Sequence, residues 1–117
     1  MPKTVLIVDD HAGFRSIASM ILANAGYDVV GEAADGGEAL EVARRLQPDA
    51  VLLDIELPDM TGFAVAESLA RMDDPPVVVL VSGRRKTDFG GSLARATALG
   101  FVAKDELSEE ALTALLH

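Results

Sequence analysis

The sequence predicts an α/β fold in which five βα units alternate strictly and build a parallel sheet with helices on both faces. Three observations carry that reading. Val5–Val8, Ala50–Leu53 and Val77–Val81 are short runs of Val, Leu, Ile and Ala bounded by polar or turn residues, the pattern of strands covered on both sides. The segments between them place apolar residues at helical spacing. The alternation continues to the end of the chain without an internal repeat, linker or low-complexity stretch.

Taken in order, Val5–Val8 is the first strand. Phe14, Ile17, Ala18, Ile21, Leu22 and Ala25 then mark one face of a helix, and Gly26 stands where a left-handed cap is needed. Tyr27–Ala33 reads as the second strand, with Gly31 a mark of strand irregularity. Asp35 and Glu38 have the spacing of a capping box that opens a helix to Leu46, and Gln47-Pro48 ends it. The third strand, Ala50–Leu53, leads through the loop Leu57-Pro58-Asp59 into a helix over Gly62–Met72 whose apolar positions are Phe63, Ala66, Leu69 and Ala70. Asp73-Asp74-Pro75-Pro76 closes that helix ahead of the fourth strand, Val77–Val81. Gly83–Thr87 reads as a polar loop and Asp88–Leu99 as a fourth helix, weakened by Gly90 and Gly91, each of which costs about 1 kcal/mol relative to Ala. Phe101–Ala103 is a short fifth strand, and Ser108 is the N-cap of a last helix through Leu116.

A chain of 117 residues, half of them hydrophobic, suits one domain spanning 1–117. Nineteen acidic against ten basic side chains give a net charge of −9, which disfavours direct binding to nucleic acid or to anionic lipid. The absence of cysteine excludes disulfides and thiolate metal sites and fits a reducing compartment. No apolar run approaches the roughly 18 residues of a membrane span. The expectation is a soluble, cytoplasmic protein.

The polar residues of interest share one position in the pattern. Asp9 and Asp10, Asp54, Ser82 and Lys104 directly follow the first, third, fourth and fifth strands. Strand carboxyl ends lie along one edge of an open parallel sheet, and ligands bind where the strand order reverses. With the order 2-1-3-4-5, strands one and three adjoin at that point and bring three carboxylates together. Like charges so close raise one another's pKa unless a cation neutralises them. A hard divalent ion with oxygen ligands does so, which selects Mg²⁺, with Mn²⁺ as a substitute and Asp9 and Asp10 as the ligand pair. Asp54 then has the chemistry of a nucleophile toward a phosphoryl donor, while Lys104 and the metal offset charge and the Ser82 hydroxyl donates to a phosphoryl oxygen. Singly, each residue has an ordinary reading: Asp9-Asp10 as a helix N-terminal charge pair, Asp54 as a turn residue, Phe101 as core. His11 reads as a solvated loop residue, because a hard ion prefers oxygen, and Arg84-Arg85-Lys86 as a solvated loop. No glycine-rich phosphate loop is present, so a nucleotide site has no motif behind it.

Asp9-Asp10, Asp54, Ser82, Phe101 and Lys104 together resemble the signature of the receiver domains of two-component response regulators, and the resemblance covers essentially the whole chain. It implies a flavodoxin-like (βα)₅ fold and phosphorylation of Asp54 by the phosphohistidine of a sensor histidine kinase. It adds the backbone carbonyl of Glu56 to the metal ligands Asp9, Asp10 and Asp54. It also implies that Ser82 moves toward the phosphoryl group while Phe101 turns inward, altering the face made by the fourth helix, the fifth strand and the last helix. Asp9-Asp10-His11 with Phe14-Arg15, and Lys104-Asp105, are most similar to the NarL/FixJ group, whose members usually carry a C-terminal DNA-binding domain. Output through such a domain or through a separate protein, and homodimerisation on phosphorylation, follow as expectations, with self-phosphorylation and self-dephosphorylation as the only chemistry. Where family members often have Pro after the lysine, this chain has Asp105, so a trans bond is expected there. Gly83–Gly91 is an unusual entry into the fourth helix. Two other functions share these residues: a Mg²⁺-dependent phosphohydrolase with Asp54 as transient nucleophile, and an interaction module indifferent to phosphorylation.

Overall fold

The computed structural model describes residues 3–89, 91 and 98–116. Its five strands are β1 (Thr4–Val8), β2 (Asp28–Ala33), β3 (Ala50–Asp54), β4 (Val77–Ser82) and β5 (Gly100–Ala103). They form one parallel sheet in the order β2-β1-β3-β4-β5, the order expected. The helices are α1 (Ala12–Asn24), α2 (Gly36–Leu46), α3 (Gly62–Ala70) and α4 (Glu109–Leu116). The helix expected over 88–99 falls largely outside the described residues. Its approach differs from the polar loop expected, because Lys86–Phe89 forms a 3₁₀ turn.

Strand residues alternate between two cores, which is why the central strands are apolar throughout. Leu6, Val8, Val51, Leu53, Val78 and Leu80 face α2 and α3 and pack on residues such as Val42 and Leu69. Val5, Ile7, Ala50, Leu52, Val79 and Val81 face the other way, against Ala18 and Leu22 of α1 and Leu112 and Leu116 of α4. Every residue of β3 is buried. At about 25 cal/mol per Å² of apolar surface removed from water, this two-sided burial is the main stabilising term of the fold.

Several boundaries follow capping chemistry that apolar spacing alone does not reveal. The α3 helix starts after an N-cap at Thr61, whose hydroxyl accepts from Ala64 N, and it ends at Ala70 rather than Met72. Asp35 caps α2 by accepting from Glu38 N, and Glu38 reciprocates by accepting from Ala34 N. That helix stops at Gln47, which adopts the left-handed conformation with φ 47°. Ser108 accepts from Ala111 N at the start of α4, as its sequence position predicts. Ile17, assigned to the inward face of α1, is instead 57% exposed, as is Met20 at 66%. The buried stripe of α1 runs through Ala18 and Leu22, and Ile17 lies to one side of it. Gly26 takes φ 94°, the left-handed conformation that its place after α1 demands. Between Val5 and Leu6 the pairing with β2 skips from Val29 to Gly31, which bears out the irregularity expected there. No helix among the described residues is long and apolar enough to cross a membrane.

Candidate functional site

The sheet order places β1 beside β3, and the two deliver acidic groups to the same edge. Asp9 follows β1, where its N–H donates to Ala33 O of β2 at 3.0 Å, and Asp54 is the last residue of β3. Asp10 and His11 form the turn into α1. One ligand atom from each of Asp9, Asp10, His11 and Asp54 lies within 4.8 Å of the others, with Asp9 and Asp54 buried and Asp10 and His11 exposed.

Lys104, directly after β5, closes the cluster from the far side of the sheet. Its Nζ is 2.5 Å from Asp9 Oδ2 and 3.5 Å from Asp54 Oδ2. The same ammonium sits 4.5 Å from the ring centroid of Phe14 on α1, a cation–π contact that supports it opposite the carboxylates. Asp105 follows it through a trans bond, as expected. Arg15, one residue on from Phe14, donates from Nη1 to Asp9 O at 2.5 Å and pairs through Nε with Glu32 at 2.9 Å, bracing the β1–α1 turn.

The electrostatics reflect burial in company. Burial pushes the Asp54 carboxyl up from 3.8 to about 6. The N–H of Glu56 (3.1 Å from Asp54 Oδ1) and the Lys104 ammonium pull it down, while Asp9 and Asp10 push it further up. Asp9 Oδ2 is buried and, among the described residues, has no hydrogen-bond donor aligned on it; Lys104 reaches it as a charge, not in hydrogen-bond geometry. The buried Asp9 carboxylate, ion-paired through Oδ2 to Lys104, stands beside those of Asp10 and Asp54, an oxygen donor set suited to a hard divalent ion, so the residues fit Mg²⁺.

The other expected residues stand around this cluster. Ser82 ends β4, fully buried, and its hydroxyl donates to Glu56 Oε1 (3.2 Å) and accepts from Arg84 N (3.0 Å). The hydroxyl proton is therefore engaged by Glu56. Arg84, expected as part of a solvated loop, approaches Glu56 Oε2 at 3.8 Å and covers Phe89 at 5.4 Å. Phe101 is half-buried away from the carboxylates, edge-on to Phe89 at 6.0 Å, and Phe89 is in turn edge-on to Phe63 at 6.0 Å.

Sequence reasoning set His11 aside and did not pair Phe14 with Lys104. It also missed Asp59, whose carboxylate accepts from Gly36 N (2.8 Å) and Gly37 N (2.9 Å) and ties the loop after β3 to the start of α2. Those two N–H groups hold the Asp59 carboxyl below its ordinary range. An acidic residue in a loop is the only signal for that contact, since its partners are distant in sequence.

A parallel sheet wound 2-1-3-4-5, gathering three aspartates and a lysine at its switch point, defines an α/β domain of the CheY-like, flavodoxin-like class. The family model described as response regulator receiver domain matches residues 5–117, and the chain belongs to that family, the receivers of two-component signalling. It is 37% identical over 110 residues to a Pseudomonas aeruginosa protein named as a transcriptional regulator, covering 94% of this chain and 53% of that one. The chain thus spans about half the length of that relative. It is 36% identical to the chemotaxis protein CheY of Thermotoga maritima, covering 89% of this chain and 87% of that one. Among solved structures, the signal receiver domain of a response regulator named NarL from Mycobacterium tuberculosis superposes with a TM-score of 0.88 at 34% identity, covering 98% and 94% of the two chains.

Proposed function

We propose that residues 1–117 act as one receiver that takes a phosphoryl group onto Asp54 from the phosphohistidine of a sensor histidine kinase. The observation that carries this reading is the cluster of Asp9, Asp10 and Asp54 with the Lys104 ammonium 2.5 and 3.5 Å from two of them. Asp9, Asp10, Asp54 and the backbone carbonyl of Glu56 would hold Mg²⁺, or Mn²⁺ in its place, which supplies positive charge for the phosphoryl oxygens. A carboxylate oxygen of Asp54 attacks phosphorus, the P–N bond to the kinase histidine breaks, and the imidazole leaves with its electron pair and takes up a proton. Lys104, held by Phe14 and Asp9, neutralises charge gathering on the transferred group. Ser82 must leave Glu56 to donate to a phosphoryl oxygen, because its hydroxyl has a single proton to give. In this reading the domain turns over no external substrate; it gains and loses its own phosphoryl group.

The half-length coverage of the P. aeruginosa relative supports an output carried by a further domain, while the near-complete match to CheY supports output by contact with a separate protein. In either case the net charge of −9 argues against nucleic-acid binding by this domain itself. Phosphorylation-driven pairing of two copies through the Phe101 face belongs to the same reading.

The test is intact-mass measurement after incubation with acetyl phosphate, with and without Mg²⁺, on the wild type and Asp54→Asn. The expected result is one phosphoryl adduct that requires Mg²⁺ and is missing from the variant. An adduct of equal yield on Asp54→Asn would overturn the assignment.

A further inference from the structure

Ser82 is fully buried, and its one proton goes to a side chain that does not need it. The Glu56 side chain is 52% exposed, so its carboxylate has water within reach, yet Oε1 accepts from the Ser82 hydroxyl at 3.2 Å. Opening that bond costs the carboxylate little, because water replaces the lost donor, whereas the buried hydroxyl needs another acceptor in its place. The bond is therefore stable until such an acceptor arrives beside Ser82. The Arg84 guanidinium stands 3.8 Å from the second oxygen, Glu56 Oε2, and 5.4 Å from the centroid of the Phe89 ring, which puts a positive charge behind the carboxylate. Glu56 also borders an open cavity of about 420 Å³, lined in part by Leu57, Phe63, Arg84 and Phe89, which leaves its side chain room to turn away from Ser82.

We propose that the Glu56 carboxylate, with Arg84 behind it, is a clasp that withholds the Ser82 hydroxyl from the phosphoryl group and so sets how readily this domain switches. The inference rests on the reading of Asp54 as phosphoryl acceptor and of Ser82 as donor to a phosphoryl oxygen. Two anionic acceptors then compete for one proton through charge-assisted hydrogen bonds of the same kind, so neither wins by a wide margin. The apparent affinity for a phosphoryl group falls by the fraction of molecules in which the clasp is closed. Glu56 is thus a positioning residue that acts through Ser82. This role belongs to its side chain and is separate from the backbone carbonyl assigned to the metal. The carboxylate also repels a phosphoryl group as any nearby anion does, and the two effects separate because only the first passes through Ser82.

The experiment titrates beryllofluoride, a phosphoryl analogue that carries no leaving group, in the presence of Mg²⁺ and follows the ¹⁹F signals of the bound form. It compares the wild type, Glu56→Ala, Ser82→Ala, the double variant and Asp54→Asn. Glu56 is half-exposed and Ser82→Ala removes a single oxygen, so each of these chains keeps the packing of the core. The expected result is that Glu56→Ala binds at least about five-fold more tightly than the wild type, and that the same substitution gains less than about two-fold when residue 82 is already alanine. A gain that does not shrink in the Ser82→Ala background means that Glu56 acts by charge alone, and it overturns the clasp. No gain in Glu56→Ala overturns it as well, and wild-type binding that is lost in Asp54→Asn then leaves the phosphoryl-acceptor reading standing. A wild type that binds no beryllofluoride, or binding untouched by Asp54→Asn, would remove that underlying reading and the clasp with it.

Discussion

The two sides of the sheet's carboxyl edge are built differently. On the central strands β1 and β3, Val5–Val8 and all of Ala50–Asp54 are buried, and Asp9 and Asp54 stand at the ends of these covered strands. On the outer side, β5 buries only Val102, while Gly100, Phe101 and Ala103 remain partly exposed. The acidic groups are thus fixed where the backbone is packed on both faces and opens least. Phe101 lies on an edge strand, where opening is least costly. Like charges are kept together by strands packed on both faces, and in the proposed function a change at that site is read out at this edge strand.

The most direct way to break that arrangement is to disturb the rigid side from outside the site. A Cβ on Gly62 would lie 2.3 Å from Asp54 O and 2.7 Å from Ile55 Cα, backbone atoms at the buried end of β3 and of the buried residue that follows it. Gly62→Ala is expected to cost about 2–3 kcal/mol in urea unfolding through overpacking. It should also weaken Mg²⁺ binding, because the clash displaces the residue that carries the carboxylate. Gly13→Ala is the control, since nothing lies within 4 Å of its added Cβ. It should change stability by less than about 1 kcal/mol and in the favourable direction. Equal effects from the two substitutions would remove the claim that β3 holds Asp54 rigidly.

A smaller effect of opposite sign tests the electrostatic cost of that rigidity. Because the folded state raises the Asp54 pKa from 3.8 to about 6, the native protein binds more protons than the unfolded chain between those values. Stability therefore falls as pH rises through that window and levels off above about pH 6. Below the unfolded value of 3.8 the penalty is absent. Asparagine does not titrate, so Asp54→Asn should be more stable than the wild type at pH 7.5 in the absence of divalent ions. Allowing for solvent screening in an open cleft, the gain is about 1–2 kcal/mol. The advantage should shrink as the pH approaches 4 and also on adding Mg²⁺ to the wild type at neutral pH. Denaturant titrations of both proteins at pH 7.5 and pH 4.5 measure it, and a gap that widened on acidification would contradict the assigned cause.

The same division explains what the sequence made legible. Central strands covered on both sides must be apolar throughout, so Val5–Val8, Ala50–Leu53 and Val77–Val81 could be located and ordered, and the polar residues ending them marked one edge. The carboxylates and Lys104 were legible for that reason. Contacts that depend on how helices and loops settle were not. Phe14 has the spacing of a core residue on α1, and only the finished fold puts its ring beneath Lys104. Asp59 gives no local hint that it caps a helix formed earlier in the chain. His11 was weighed against the preference of Mg²⁺ for oxygen, a chemical argument that is silent on where the turn aims the ring.

The smallest expected effect sharpens the comparison from the edge. Phe101 packs edge-on against Phe89, and Phe89 against Phe63 of α3, so this chain of rings ties β5 to the body of the domain. Phe101→Leu keeps an apolar side chain and removes the ring contact, worth about 0.5–1.5 kcal/mol. If β5 is the compliant part, the loss should appear locally: amide hydrogen exchange should accelerate along Gly100–Ala103 by more than it does along Ala50–Asp54, and Mg²⁺ affinity should hold within about two-fold, a shift of under about 0.5 kcal/mol. Exchange that accelerated equally in β3 and β5 would mean the sheet opens as one unit. The separation between a rigid acidic side and a yielding readout side would then be lost.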